Sequence, residues 1–212
     1  MNSKFDSKWL TYLGDKFNPL LLTDIVPGSN IIVAVPHHAP RGVSRMLCDR
    51  NADENAGYLG SYLAQELNCS CIIASRYFFD PNKEEGSDYC RFIESLHPDL
   101  VIEIHGHGSR NALFDIEISS GPHDPEYAKK FGEQLMAAVK ETPDLADLSI
   151  SGDYQEIWFT AQFSKTVTDK RWNTLHIELP RSLRIDPDSS LPPQRGFELM
   201  DLINRIVTKH SK

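Results

Sequence analysis

Short apolar, β-branched runs alternate along this chain with longer stretches of helical periodicity. The runs at 31–35, 71–75, 100–105, 114–119, 156–160 and 174–179 predict strands. Helical patterns at 54–67, 88–96, 125–141 and 194–209 predict the helices between them, and the last carries Phe197, Met200, Leu202, Ile203 and Ile206 at helical spacing. Asp124-Pro125 marks a helix start, a cap followed by proline at the first helical position. Near-continuous apolar strands separated by helices predict an α/β fold whose mixed, largely parallel sheet is covered on both faces. In such sheets ligands bind outside the carboxyl ends of the strands.

No repeat, low-complexity tract or Pro/Ser/Gly linker divides the 212 residues, so a single domain over 1–212 is expected. A hydrophobic fraction of 40% with 25% charged residues is enough to build a core. The balance of 22 basic and 30 acidic residues gives −8, which repels phosphate backbones, and no basic run offsets it; a nucleic-acid partner is not expected. No run approaches the ~18 apolar residues of a membrane span. The opening Met-Asn-Ser-Lys-Phe-Asp lacks the apolar core of a secretory signal. A cytoplasmic protein is therefore expected. Cys48, Cys69, Cys71 and Cys90 contain no Cys-x-x-Cys pair and read as reduced thiols, the middle two packing from one strand face.

Polar residues gather where the predicted strands stop. Ile-Ile-Val-Ala-Val runs into Pro36-His37-His38, Ile72-Ile73-Ala74-Ser75 into Arg76 and then Asp80-Pro81-Asn82-Lys83, and Leu100–Ile104 into His105-Gly106-His107. Asp53 and Glu54 open a predicted helix, and Glu178 stands inside the apolar strand Leu175-His176-Ile177-Glu178-Leu179. Two histidines and a carboxylate from separate elements, with one position open, are how a catalytic zinc is held. Such a site acidifies a water, and a further carboxylate takes its proton and returns it to the leaving amine. Glu178 suits that role, because a glutamate buried in a strand costs several kcal/mol unless something pairs it. Taken singly, each residue has a plain alternative: a solvated strand-end histidine, a helix-dipole carboxylate, an edge-strand glutamate. Their coincidence at one end of the sheet points to a metal hydrolase.

In this order, over about residues 31–186, these blocks resemble the N-formylglutamate amidohydrolase family, distant relatives of the zinc carboxypeptidases. Pro36-His37 is similar to the block bearing the first zinc ligand. The acidic ligand falls at Asp53-Glu54, with the count back from Ala64-Gln65-Glu66-Leu67 favouring Glu54, and Ile104-His105-Gly106 is similar to the third-ligand block. Asp80-Pro81-Asn82-Lys83 resembles a segment whose last two residues hold the substrate's carboxylate. Ile177-Glu178-Leu179-Pro180-Arg181-Ser182-Leu183 resembles the segment carrying the catalytic base. The resemblance implies a three-layer α/β/α fold, zinc on His37, Glu54 and His105, Glu178 as base, and a small acidic substrate held by Asn82, Lys83 and Arg181. Arg76, at a neighbouring strand end, is the expected oxyanion partner. Lys83 replaces an arginine, a point charge for a bidentate fork; Arg184 stands at a usual tyrosine and Pro180 at a small polar residue. These departures bear on the substrate rather than on the metal.

Two other readings stand beside an amidohydrolase acting on an N-acyl or N-formyl amino acid. One is a metallo-carboxypeptidase or γ-glutamyl peptide hydrolase, which needs a wider cleft. The other is a metal- or ligand-binding module without turnover, which has no need of Glu178. His38, His107 and His176 are open between orienting a ligand and packing.

Overall fold

The computed structural model describes residues 7–108 and 110–210. In chain order the elements are α1 Ser7–Leu13, β1 Leu20–Asp24, β2 Ile31–Ala39, β3 Asp53–Glu54, α2 Ala56–Leu67, β4 Ser70–Ser75, α3 Asp88–Ser95, β5 Leu100–Gly106, β6 Ile116–Ser119, α4 Pro125–Lys140, β7 Ile150–Ser151, α5 Lys165–Thr168, β8 Asn173–Leu179, α6 Arg181–Arg184 and α7 Gln194–His210. The strands form one mixed sheet in the order β1-β4-β2-β5-β8-β6-β7, with β3 paired to β2. Its centre, β4-β2-β5-β8, is parallel, while β1 and β6 run antiparallel to β4 and β8. From β2 the chain crosses to β4 on one side and then returns past it to β5 on the other. A crevice therefore opens between the carboxyl ends of β2 and β5, the switch point at which such sheets take ligands.

Alternation along the strands sorts side chains between two faces. Val33, Val35, Cys71, Ile73, Ile102, Ile104, Leu175 and Ile177 pack against residues of α2, α4 and α7. Ile32, Ala34, Ile72, Ala74 and Val101 pack against Tyr89, Cys90 and Ile93 of α3. The sheet is thus covered on both sides, the three-layer arrangement expected. Period two carries Glu103 and His105 of β5 onto the α3 side with Val101. On β8 it likewise aligns His176 and Glu178, register partners of Glu103 and His105. All four cysteines are free thiols; Cys69 and Cys71 belong to the larger core. Among the described residues no helix is long and apolar enough to cross a membrane.

Three expected elements differ from the pattern reading. Residues 156–160 form no strand, because the amides of Trp158 and Phe159 go to the Glu117 carboxylate instead of a strand partner. β6 starts at Ile116 rather than at 114 for a similar reason: Leu113 and Phe114 donate their amides to the same carboxylate. α2 begins at Ala56, since Asp53 and Glu54 pair alongside β2 and Asn55 turns the chain through a left-handed φ of 64°. Asparagine tolerates that conformation better than most residues. Here its amide nitrogen also donates to the carbonyls of Arg184 and Ser190.

Candidate functional site

Pro36 shapes the end of β2. It has no N–H to give the ladder, and the register between β2 and β4 shifts between Val35 and His38. The irregularity sends the two histidines opposite ways. His38, fully buried, accepts from the Gly57 amide at Nδ1 and donates to the Leu13 carbonyl from Nε2. Burial pulls its pKa down to about 4, so it is a neutral core residue holding α1 and α2 to the sheet. His37 instead meets His105 edge-on, with ring centroids 5.2 Å apart.

Asp53 completes this group. Its Oδ2 lies 3.5 Å from His37 Nδ1 and 3.3 Å from His105 Nδ1, is buried, and makes no hydrogen bond with either. Three donor atoms on a tetrahedral ion, each at about 2.0–2.2 Å, stand roughly 3.3–3.6 Å apart. The two carboxylate–imidazole spacings match that edge, the three atoms all lie within 4.8 Å of one another, and the orphaned oxygen is an acceptor in need of a cation. The outward nitrogens are backed by carboxylates: His37 Nε2 by Asp80 Oδ1 at 2.7 Å, His105 Nε2 by Glu103 Oε2 at 3.4 Å. Carboxylate-backed imidazoles presenting their other nitrogen inward are a common way to orient metal ligands.

Glu178 shares the cavity with these groups. Its Oε1 contacts His176 Nε2 at 3.2 Å, while its Oε2 is buried without a hydrogen-bond partner. His176 lies on His105, centroids 4.1 Å apart, and its Nδ1 reaches Glu103 Oε2 at 3.4 Å. Four carboxylates, Asp53, Asp80, Glu103 and Glu178, thus converge on three imidazoles. Burial alone would depress the His105 pKa, but Asp53 and Glu103 outweigh it and push it up to about 10. Burial likewise opposes ionisation of Asp53, Glu103 and Glu178, yet their histidine partners hold all three below the usual carboxylate range. Asp80 is held at about 2, chiefly by His37. Such a site is short of positive charge, and a divalent cation suits it.

The cavity measures about 430 Å³, the scale of a small-molecule site. His37, Asp53, His105, His176 and Glu178 line one side, residues 158–164 line the other, and Asn82 and Lys83 complete it. Trp158 and Phe163 of this wall are 58% and 73% exposed. Glu117, fully buried on β6 opposite Glu178, holds the wall by its bonds to Trp158 and Phe159, both 2.8 Å.

Of the expected residues, His37, His105, Glu178, Asn82 and Lys83 meet in this cavity, and three arrive elsewhere. Glu54 does not join the histidines: its Oε1 accepts from the Gly42 amide and its Oε2 pairs with Arg181 at 3.0 Å. Successive residues of an extended segment point opposite ways, so when Asp53 faces the histidines Glu54 cannot. Arg181, the first residue of α6, opens with Glu54 onto a separate hollow shared with Arg41. Arg76 leaves β4 through a left-handed φ of 47° and does not line the cavity. Within it, Asn82 Nδ2 is committed to Glu103 and Ser164, and Lys83 Nζ pairs with Asp80 at 3.2 Å. His107 donates from Nε2 to the Asp115 carbonyl at 2.9 Å and stacks on Phe159, a framework role.

Sequence reasoning placed the acidic ligand at Asp53-Glu54 and favoured the wrong one of the two; the residues it passed over are Asp80 and Glu103 behind the histidines, and Glu117 under the wall. Glu103 carried a readable signal, a carboxylate inside Val101-Ile102-Glu103-Ile104, the same signal that singled out Glu178. Arg184 is also buried in the framework. It donates to the carbonyls of Glu54, Leu179 and His107, tying the ends of β3, β8 and β5 together beside the site.

Neither a scan against family profiles nor a sequence search of curated proteins finds a match. Solved structures do share the fold. A bacteriophage poly-gamma-glutamate hydrolase superposes with a TM-score of 0.59 at 10% identity, over 91% of this chain and 89% of its own. The N-formylglutamate amidohydrolase of Ralstonia eutropha JMP134 gives 0.53 at 12%, over 89% and 96%. The zinc-free apo form of YNDL gives 0.54 at 16%, over 95% of both chains. The fold expected from the residue blocks is therefore the fold observed, one shared with amidohydrolases.

Proposed function

We propose that this chain is a metal-dependent hydrolase that cleaves an amide bond in a small carboxylate-bearing molecule, such as an N-acyl amino acid. The observation that carries the reading is the facing of His37 Nδ1, His105 Nδ1 and the orphaned Asp53 Oδ2 in the cavity that also holds Glu178. Two imidazoles and one carboxylate with a side open to a cavity are a donor set for catalytic zinc. The zinc-free description of one fold neighbour and the glutamate in the names of the other two are consistent with it.

When bound, the ion supplies Lewis acidity, polarising the amide carbonyl and lowering the pKa of a water toward about 7. The chain's own groups do the rest. Asp80 and Glu103 keep the outer nitrogens of His37 and His105 occupied, so that Nδ1 of each faces inward. Glu178, held below the usual carboxylate range, is ionised at neutral pH, and its unpartnered Oε2 takes the proton of the attacking water. The same oxygen then hands the proton to the departing amine. The wall at 158–164 bounds the cavity opposite these groups. Lys83 is the cation among the lining residues and the anchor for a substrate carboxylate, weakened by its pairing with Asp80.

Glu178→Gln tests the catalytic assignment. The variant keeps one zinc per chain, while kcat on a hydrolysed N-acyl amino acid falls by roughly 10²–10⁴-fold, the usual contribution of general acid–base assistance. His105→Ala loses metal and turnover together. Near-normal turnover in Glu178→Gln overturns the mechanism. Running the panel with carboxylate-bearing amides, neutral amides and γ-glutamyl peptides separates this reading from a peptidase.

A further inference from the structure

Glu103 has no exposure at all, yet its two oxygens face six polar groups. Oε1 accepts from Thr166 Oγ1 and from the Tyr89 hydroxyl. Oε2 lies 3.4 Å from His105 Nε2, 3.4 Å from His176 Nδ1, and 3.5 Å from both Asn82 Nδ2 and Ser164 Oγ. These donors come from β5, β8, the segment between β4 and α3, α3, the segment before α5 and α5 itself, so one carboxylate gathers six parts of the chain. The two imidazoles that share Oε2 lead to different functional groups. His105 turns its other nitrogen to Asp53, and His176 turns its other nitrogen to Glu178.

We infer that Glu103 is a positioning residue that sets the metal-ligand histidine and the partner of the catalytic base at once. With Nε2–H of His105 donated to Glu103, the Nδ1 lone pair is left for the ion. His176, held at Nδ1 by the same oxygen, keeps its Nε2 3.2 Å from Glu178 Oε1. His176 is thereby a positioning residue for Glu178 rather than a ligand. The inference rests on the metal-hydrolase reading above.

Glu103, His105 and His176 also bring ligand atoms within 4.8 Å of one another, as a second metal site would. Their bonding argues otherwise. Asp53 Oδ2 is an acceptor without a donor, whereas Glu103 Oε2 already has four donors around it and Oε1 has two. A second ion there would displace those donors and require His105 to surrender the protons of both ring nitrogens. This cluster therefore takes one ion, at Asp53.

Titration of the purified chain with Zn²⁺ against a competing chelator tests this. Wild type binds one ion per chain. Glu103→Gln binds one ion with affinity about 10–100-fold weaker, the usual cost of losing a ligand's outer partner. His176→Gln keeps wild-type zinc affinity and KM but lowers kcat, a split that simple loss of packing would not produce. If Glu103→Gln does not unfold cooperatively, Thr166→Val, which releases only Oε1, gives a several-fold loss of affinity in the same direction. Unchanged zinc affinity in a folded Glu103→Gln overturns the proposal, as does a second ion in wild type that this variant loses. Wild-type kcat in His176→Gln overturns its role. His105→Ala separates the two levels: if it keeps the metal, the hydrolase reading itself fails, and if it alone loses the metal, only the role of Glu103 fails.

Discussion

Glu117→Gln probes how the cavity wall is held. In the native chain Glu117 Oε1 accepts from Leu113 at 2.7 Å and Phe114 at 3.3 Å, and Oε2 accepts from Trp158 and Phe159, each at 2.8 Å. A glutamine keeps the volume but has one acceptor oxygen, so its NH₂ must confront one pair of amides whichever way it turns. Hydrogen bonds to a charged group contribute about 1.5–3 kcal/mol each, so losing two costs about 3–6 kcal/mol. The released loops lie near the surface, with Trp158 58% exposed, and water recovers part of this. The lower end, about 3 kcal/mol, corresponds to a fall in Tm of roughly 6–12 °C for a chain of this length. Loosening of 158–164 raises KM, while zinc stoichiometry stays at one because His37, Asp53 and His105 lie on other elements. Thermal unfolding, zinc content and initial-rate kinetics on one preparation read all three. A variant with wild-type Tm and wild-type KM refutes the reasoning, since it shows that the four amides are satisfied without the carboxylate.

The remaining predictions concern the framework. Burial lowers the His38 pKa from its ordinary 6.5 to about 4, so the unfolded chain takes up a proton that the folded chain refuses. Its contribution to stability is complete above pH 6.5 and is lost as pH falls toward 4, by about 3 kcal/mol at most. Urea midpoints at pH 7 and pH 4.5 will show a smaller acid loss in His38→Gln than in wild type; equal losses contradict the assignment. In Gly106→Ala the new Cβ would sit 2.1 Å from Arg184 Cζ, so the guanidinium must leave the carbonyls of Glu54, Leu179 and His107. Disrupting a buried charge in this way costs about 3 kcal/mol or more, and a wild-type urea midpoint for this variant contradicts the account.

Much of this was legible in the chain because period-two strands leave a strong trace. β2, β4, β5 and β8 stand out as apolar runs, and the polar residues at their ends, His37, His105 and Glu178, meet as expected. What was not legible depends on single-residue geometry. Asp53 and Glu54 are adjacent and equally acidic, and only the pairing of a two-residue strand decides which faces the histidines. Arg76 sits at a strand end, but one left-handed φ turns it away. Arg181 follows Glu178 by three residues, yet the turn into α6 carries it to Glu54. Residues 156–160 have a strand-like composition, but their amides are captured by a glutamate some forty positions earlier, a tertiary effect that no local pattern records. β1 was missed because it is a half-buried edge strand.

The central claim is that His37, Asp53 and His105 hold one metal ion. The most direct test is zinc affinity measured side by side for Asp53→Asn and Glu54→Gln. Asp53→Asn should weaken binding by more than the roughly 10–100-fold expected for an outer-shell partner. Glu54→Gln should retain one tightly bound ion, because its carboxylate serves Gly42 and Arg181. The reverse result, zinc kept by Asp53→Asn and lost by Glu54→Gln, would contradict the account.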